Sequence, residues 1–182
     1  MFKKLNILDE KEKILRETAK EVIFPLTKED KKLIQNSIDQ LTYSQIEEYE
    51  KKYDLRPGMG LAFPQLGLSK RIIIIVHEYE DGKFGNYVVI NPKIVSNSEE
   101  IIAAEAGEGC LSVNRDVEGQ VPRFARVTVE GYDENGNKIR IRAREELSIA
   151  FQHEIDHLNG LLFFDRINKK KPFYSENAIR LI

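Results

Sequence analysis

Residues 145–158 read EELSIAFQHEIDHL, and their apolar side chains recur at the spacing of a buried helix face. Within this predicted helix, His153 and His157 lie one turn apart on the same face, so both imidazoles can reach one cation. Glu154, between them, could take a proton from a water bound to that cation. The spacing therefore predicts a metal-dependent hydrolase. The plain alternative is a pair of polar side chains on an exposed helix face.

A catalytic metal usually has three protein ligands and one open position, so a third ligand is needed. One metalloprotease pattern would place a histidine at position 163, where this chain has Phe163. A second pattern uses a downstream glutamate, for which Glu176 is the candidate. The third option is Cys110, the single cysteine of the chain, because a thiolate binds borderline or soft divalent ions. A lone cysteine can equally be a buried structural thiol.

A third segment, GMGLAFPQ at residues 58–65, places glycines on both sides of Met59. Glycines in this arrangement allow a backbone to approach a ligand closely. Gln65, at the end of the segment, carries an amide that could donate to a developing oxyanion. Taken alone, the segment is more simply a turn that leads into a strand.

Together, the segments GMGLAFPQ (58–65), EGCLS (108–112) and QHEIDHL (152–158) resemble the three motifs of the peptide deformylase family, in the family's order. The resemblance extends over essentially the whole chain. The long segment at residues 27–56, and Val113 after the second motif, resemble the class II branch of that family. Phe63 departs from the pattern, since many members have alanine there. We expect Phe63 to narrow or reshape the rim of the site without changing the reaction.

The resemblance implies a metal centre and a catalytic mechanism. Cys110, His153 and His157 would hold one divalent metal ion, most often Fe²⁺ in this family, with Zn²⁺, Ni²⁺ or Co²⁺ as substitutes. Glu154 would act as general base and then as general acid. The Gln65 amide and the Leu111 backbone N–H would stabilise the tetrahedral oxyanion.

The implied substrate is the N-terminal formyl-methionine of newly synthesised polypeptides. The backbone around Met59, Gly60 and Gly109 is expected to pair with the substrate as an added strand. Ile149 and Ala150 precede His153 by about one helical turn, so we expect them to line the pocket for the methionine side chain. Ordinary core packing is the alternative for these two residues.

Composition excludes several other classes. The 182 residues are 41% hydrophobic and 32% charged, which is the balance of a globular protein. The net charge of −2 gives no indication of DNA binding. The longest apolar run, residues 72–76, is too short to span a bilayer, and the N-terminus lacks the pattern of a secretory signal. We expect a cytoplasmic monomer without membrane contact, and a transient ribosome contact follows only from the nature of the substrate.

The remaining patterns predict the fold. Residues 1–56 are expected to be mostly helical, with helices at 9–22 and 44–53 and, between them, a helix capped by Thr27 that has Asp30 in its first turn. That middle helix would bury Leu33, Ile34, Ile38 and Leu41.

Strands are expected at residues 71–77, buried on both faces, and at 85–90, ended by Asn91-Pro92. Further short strands are expected at 93–96 and 100–104, and Asn135-Gly136 predicts a hairpin between strands at 126–133 and 138–143. This order predicts an α+β fold, with antiparallel or mixed sheets around a central motif-bearing helix and an N-terminal helical segment. We expect a single domain over residues 1–182.

Overall fold

The computed structural model describes residues 2–174 and 179–182, and its fold is α+β, as predicted. The α-helices are α1 (Lys28–Ser44), α2 (Glu47–Tyr53) and α3 (Glu145–Leu158), with short 3-10 helices at Lys13–Arg16, Phe63–Leu66 and Phe163–Arg166. The strands are β1 (Gly60–Ala62), β2 (Ile72–Glu80), β3 (Lys83–Asn97), β4 (Ile101–Ala103), β5 (Arg123–Phe124), β6 (Arg126–Tyr132), β7 (Lys138–Arg144) and β8 (Arg180–Leu181). None of the helices in this described part of the chain is long and apolar enough to cross a membrane.

The strands form two sheets. The larger sheet has the order β1-β2-β3-β6-β7, and all of its neighbouring strands are antiparallel. The smaller sheet has the order β5-β4-β8, in which β4 pairs with β5 in antiparallel and with β8 in parallel orientation. The prediction of antiparallel and mixed sheets is therefore confirmed.

Strand β2 lies at the centre of the core. Its residues Ile73 and Ile75 belong to an apolar cluster that includes Phe151 and Leu158 of α3. Its alternate residues, among them Ile74, belong to a second cluster that includes residues of α1. Successive side chains of a strand point to opposite faces, so β2 is buried on both, as predicted. The larger sheet is thus packed between α1 and α3, and α3 is held on the sheet by its apolar side.

Helix α1 begins as predicted. The Asp30 backbone N–H donates to Thr27 Oγ1 at 3.0 Å, and the Thr27 N–H donates to Asp30 Oδ2 at 3.4 Å, which together form a capping box. Ile34 and Leu41 are buried, and the other two residues of the predicted face, Leu33 and Ile38, are partly buried against the same cluster.

The predicted helix at residues 9–22 is wrong. Only Lys13–Arg16 form a short 3-10 helix, and the flanking chain is extended. Its backbone bonds to distant segments: Leu8 N donates to Gln65 O at 2.8 Å, Glu10 N to Ser112 O at 2.7 Å, and Ala19 N to Leu158 O at 2.9 Å. These tertiary hydrogen bonds outweigh a weak helical periodicity. Helix α2 also begins later than predicted, at Glu47.

Asn91-Pro92 does not end its strand, which is a second correction. β3 continues to Asn97, with an irregular register between Ile90 and Lys93. Asn91 has φ 52°, and its side chain bonds both backbone groups of Val22. Asparagine tolerates this left-handed conformation, so the pair forms a bulge within the strand. Residues 93–96 belong to β3, whereas β4 lies in the smaller sheet.

Candidate active site

Helix α3 carries the histidine motif on a buried face, and its bounds match the predicted helix at residues 145–158. His153 and His157 are 9% and 1% exposed, so the alternative of an exposed polar face is wrong. Their rings lie 5.1 Å apart, centroid to centroid. Gly160, two residues beyond the end of the helix, has φ +73°, a conformation that favours glycine.

The structure brings Cys110 to this helix from the loop between β4 and β5. Cys110 Sγ lies 3.3 Å from His157 Nε2, and the ligand atoms of Cys110, His153 and His157 all lie within 4.8 Å of one another. Within residues 2–174 and 179–182, this is the one group of three such side chains that could hold a metal ion. Glu176, the rival third ligand, lies outside the described residues.

The donor set fits a divalent cation. One thiolate and two imidazoles suit a borderline or soft metal, and three protein ligands are the usual number in a catalytic site. His153 Nδ1 is bonded to Glu108 Oε2 at 2.9 Å, which leaves its other ring nitrogen free for a metal. Beside the cluster, Glu154 Oε2 is buried and has no hydrogen-bond partner among the residues that the structure describes, as expected for an oxygen that faces a solvent or substrate atom.

A buried ionic network lies behind His153. Arg123 Nε donates to Glu108 Oε1 at 2.7 Å, and Arg123 Nη1 donates to Asp156 Oδ2 at 2.6 Å. Arg166 Nε completes the network with a 2.5 Å bond to Asp156 Oδ2. Burial raises the pKa of Glu108, but the hydrogen bonds from Arg123 and His153 lower it to about 2. The carboxylate behind His153 is therefore ionised at neutral pH.

Sequence reasoning missed these supporting residues. Glu108 and Asp156 lie inside the quoted motifs, at two residues before Cys110 and one before His157, and that proximity was the available signal. Arg123 has no local signal, because only the tertiary fold brings it to both carboxylates.

Burial also contributes to the pKa shifts of Glu154 and of the two histidines on α3. It raises the pKa of Glu154 to about 7. Burial lowers the pKa of His157 well below its ordinary value, and the charge of His153 lowers it further. For His153, burial lowers the pKa, but hydrogen bonds with Cys110 and Glu108 outweigh burial and raise it. A cation bound by both rings would displace that proton, because a ligating imidazole must be unprotonated.

Gln65 lies against the cysteine loop and is almost fully buried. Its Oε1 accepts from the Ala62 N–H at 2.8 Å, which fixes the orientation of the amide. Its Nε2 donates to Ser112 Oγ at 3.1 Å and lies 3.6 Å from Cys110 Sγ. The amide donor of Gln65 therefore points toward the metal-ligand cluster, as an oxyanion donor would require.

A cavity of about 390 Å³ adjoins the cluster. Ten of the predicted site residues line it, all except His157: Met59, Gly60, Gln65, Gly109, Cys110, Leu111, Ile149, Ala150, His153 and Glu154. Arg56, Pro57, Ala104 and Glu146 also line this cavity and were not predicted. The expectation for Phe63 is wrong, because its side chain is fully buried in the second apolar cluster and does not reach the cavity.

A buried thiol and two imidazoles, with a carboxylate at the edge of a substrate-sized cavity, are typical of metal-dependent hydrolases, and we assign the chain to that class of enzyme. The family model described as polypeptide deformylase matches residues 4–173. The chain therefore belongs to the peptide deformylase family.

Individual relatives agree with this assignment. The chain is 45% identical to peptide deformylase 2 of Bacillus anthracis over 168 residues, which are 92% of this chain and 91% of the relative. It is 49% identical to the peptide deformylase of Oceanobacillus iheyensis over 159 residues, 87% of each chain. These relatives are consistent with the class II-like branch. Among solved structures, peptide deformylase from Thermotoga maritima is 32% identical with a TM-score of 0.70, over 90% of this chain and 97% of that one.

Proposed function

We propose that this enzyme removes the formyl group from the N-terminal formyl-methionine of newly synthesised polypeptides, using one divalent metal ion held by Cys110, His153 and His157. The observation that carries the proposal is the convergence of these three ligand atoms within 4.8 Å beside Glu154, whose Oε2 has no hydrogen-bond partner in the described part of the chain. We propose Fe²⁺ as the physiological ion, with Zn²⁺, Ni²⁺ or Co²⁺ able to substitute. When bound, the ion would polarise the formyl carbonyl and lower the pKa of the attacking water.

The protein supplies the proton transfers through Glu154. Its carboxylate takes a proton from the attacking water and then gives it to the departing amine, so that formamide and water become formate and a free amino terminus. Burial of the side chain favours this exchange, because a carboxyl group with a raised pKa can both accept and return a proton near neutral pH.

Two donors stabilise the negative charge on the formyl oxygen. Gln65 Nε2 is oriented by the bond between its Oε1 and Ala62 N, and Leu111 N–H follows Cys110 directly in the chain. Losing one such donor typically lowers the rate by about 10²–10³-fold.

The cavity accounts for substrate recognition. Its backbone edges at Met59, Gly60 and Gly109 would bind an extended peptide by main-chain hydrogen bonds. Ile149 and Ala150, one turn before His153, present apolar surface to the methionine side chain. Four other expectations remain predictions: a single domain over residues 1–182, a cytoplasmic location, a monomeric state and a transient ribosome contact.

The test is formate release from a formyl-Met-peptide, measured anaerobically with iron-loaded enzyme and again after chelation. We expect activity that chelation abolishes and that Fe²⁺ restores. Glu154→Gln should keep its metal but lose turnover, whereas the exposed control Glu48→Gln should behave as wild type. Unimpaired formate release by Glu154→Gln would contradict the proposed mechanism.

The third ligand has its own test. Cys110→Ser should weaken metal binding and abolish turnover, whereas Glu176→Ala should change neither. If metal binding and activity survive Cys110→Ser but not Glu176→Ala, the enzyme is a different metallohydrolase from the one proposed.

A further inference from the structure

Arg56 connects the two walls of the cavity. It precedes the wall formed by residues 57–60, and its side chain reaches the loop that carries Cys110. Arg56 Nη2 donates to Cys110 O and to Val113 O, each at 3.1 Å. Arg56 Nη1 donates to Asn114 Oδ1 at 2.6 Å and lies 3.4 Å from Leu111 O. One guanidinium thus contacts four oxygens of residues 110–114.

The bond to Cys110 O has a geometric consequence for Leu111. The Cys110 carbonyl and the Leu111 N–H belong to one planar peptide unit, and in a trans peptide they point in opposite directions. Fixing the oxygen therefore fixes the direction of the N–H. The Val113 N–H also donates to Cys110 O, at 3.1 Å, so this oxygen is held by two donors.

Other contacts hold the same loop from different sides. Asn114 bridges two groups, because its Oδ1 accepts from Arg56 while its Nδ2 donates to Asp9 Oδ2 at 2.9 Å. The Leu111 side chain packs against Gly58, where a β-carbon would lie 2.9 Å from Leu111 Cδ1. Of the described side chains, Arg56 is the one that donates to the Cys110 carbonyl.

We propose that Arg56 is a positioning residue, which holds the Cys110–Leu111 peptide unit so that the Leu111 N–H can donate to the oxyanion. This inference rests on the proposed deformylase function. Arginine suits the task because its planar guanidinium presents five donors in a fixed arrangement. A lysine ammonium is a single point of charge and cannot bind four separated oxygens in the same way.

The experiment compares Arg56→Met, Arg56→Lys and Arg115→Met in metal-loaded enzyme. Arg115 is the matched control, because it lies in the same loop but bonds Glu10 and stacks over Phe164. For Arg56→Met we expect kcat to fall about 10- to 100-fold, less than for outright loss of an oxyanion donor. KM should stay within about threefold, because a transition-state interaction is affected. The kcat of Arg56→Lys should lie between those of Arg56→Met and wild type, and the kcat of Arg115→Met should match wild type.

Two further measurements separate positioning from loss of the metal or of the fold. Metal content should be unchanged in all three variants. In zinc-loaded protein, the Leu111 amide resonance should shift in Arg56→Met and stay in place in Arg115→Met. If Arg56→Met does not fold, Arg56→Lys becomes the test variant. A kcat of Arg56→Lys equal to that of wild type then overturns the proposal.

The proposal is also overturned if Arg56→Met loses its metal, if its defect lies in KM alone, or if Arg115→Met shows the same loss of kcat. The proposed function fails separately, through absence of formate release by the wild-type enzyme. If the wild-type enzyme releases formate and Arg56→Met has the same kcat, only the role of Arg56 is contradicted.

Discussion

Gly60 and Glu154 share one space: a β-carbon at Gly60 would lie 2.2 Å from Glu154 Oε1. Heavy atoms that are not bonded do not approach so closely, so the carboxylate takes its position only because residue 60 has no side chain. The φ angle of Gly60 is not in the left-handed region, so the requirement here is for space. The glycine of the first motif and the glutamate of the third are therefore complementary parts of one site.

Gly60→Ala should lower kcat by displacing the Glu154 carboxylate. General acid–base catalysis contributes about 10²–10⁴-fold, and we expect a loss at the lower end of this range. Formate release is the measurement. Gly109→Ala is the matched control in the same cavity. Its β-carbon would meet no atom of the described residues within 4 Å, so its loss of kcat should be smaller. Equal losses in the two variants would show that the Gly60–Glu154 contact is unimportant.

Arg123→Met should destabilise the protein strongly. Arg123 is 1% exposed at its side chain and contacts both Glu108 and Asp156, so its removal leaves two buried carboxylates with less compensation. Breaking a buried pair in this way costs about 3–5 kcal/mol. The free energy of unfolding, measured in urea, should fall by that amount.

The control for Arg123 is Arg126→Met. Arg126 pairs with Glu100 at 2.8 Å, but both side chains are exposed, and such pairs contribute about 0–1 kcal/mol. Similar losses for the two arginines would mean that the buried network does not stabilise the fold.

The sequence predicts those elements whose backbone conformation is determined by a few neighbouring residues. The spacing in residues 145–158 predicts α3, Thr27 and Asp30 predict the cap of α1, and Asn135-Gly136 predicts the hairpin between β6 and β7. In each case, a few neighbouring residues determine the backbone. The three motifs also pointed to side chains that the fold brings into one cluster, although their catalytic roles stay predictions.

The failures involve contacts between residues that are distant in sequence. Residues 9–22 have a weak helical pattern, but Ala19 N bonds Leu158 O, and the segment forms only the short 3-10 helix at Lys13–Arg16. Asn91-Pro92 looks like a strand end, yet the Asn91 side chain bonds the backbone of Val22 and β3 continues through a bulge. Arg123 and Arg56 have no local pattern at all, because their partners lie in other segments.

Asp30 should make stability depend on pH. Burial raises its pKa, but hydrogen bonds from Lys70 and Thr27 outweigh burial and lower the pKa below its ordinary value. The pKa of an aspartate in the unfolded chain is about 3.9, and that of Asp30 in the folded protein is lower. The ionised carboxylate therefore stabilises the fold, and this contribution is fully present at pH values above the unfolded pKa. The contribution is lost as pH falls through the pKa of Asp30 in the folded protein.

The measurement is urea unfolding of wild type and Asp30→Asn at pH 6 and at pH 3. At pH 6 the variant should be less stable by about 1–2 kcal/mol, because the neutral amide loses the ion pair with Lys70, at 2.6 Å, and the favourable negative charge at the N-terminus of α1. The difference should shrink at pH 3, because that pH lies below the unfolded pKa and protonation of Asp30 in the unfolded wild type removes part of the contribution. Asp116→Asn, in an exposed loop, should show no comparable change, and a constant difference for Asp30→Asn would contradict the linkage.

Glu108→Gln should weaken metal binding without removing a ligand. Glu108 Oε2 lies 2.9 Å from His153 Nδ1, and the low pKa of Glu108 keeps the carboxylate charged, which makes the imidazole a better ligand. Glutamine can still accept the hydrogen bond but lacks the charge. Loss of such a partner typically lowers metal affinity about 10- to 100-fold, and competition with a chelator measures it. Glu105→Gln is the control, because Glu105 is exposed, lies three residues before Glu108 and belongs to none of the three motifs. If both variants bind metal equally well, His153 does not depend on the charge of Glu108.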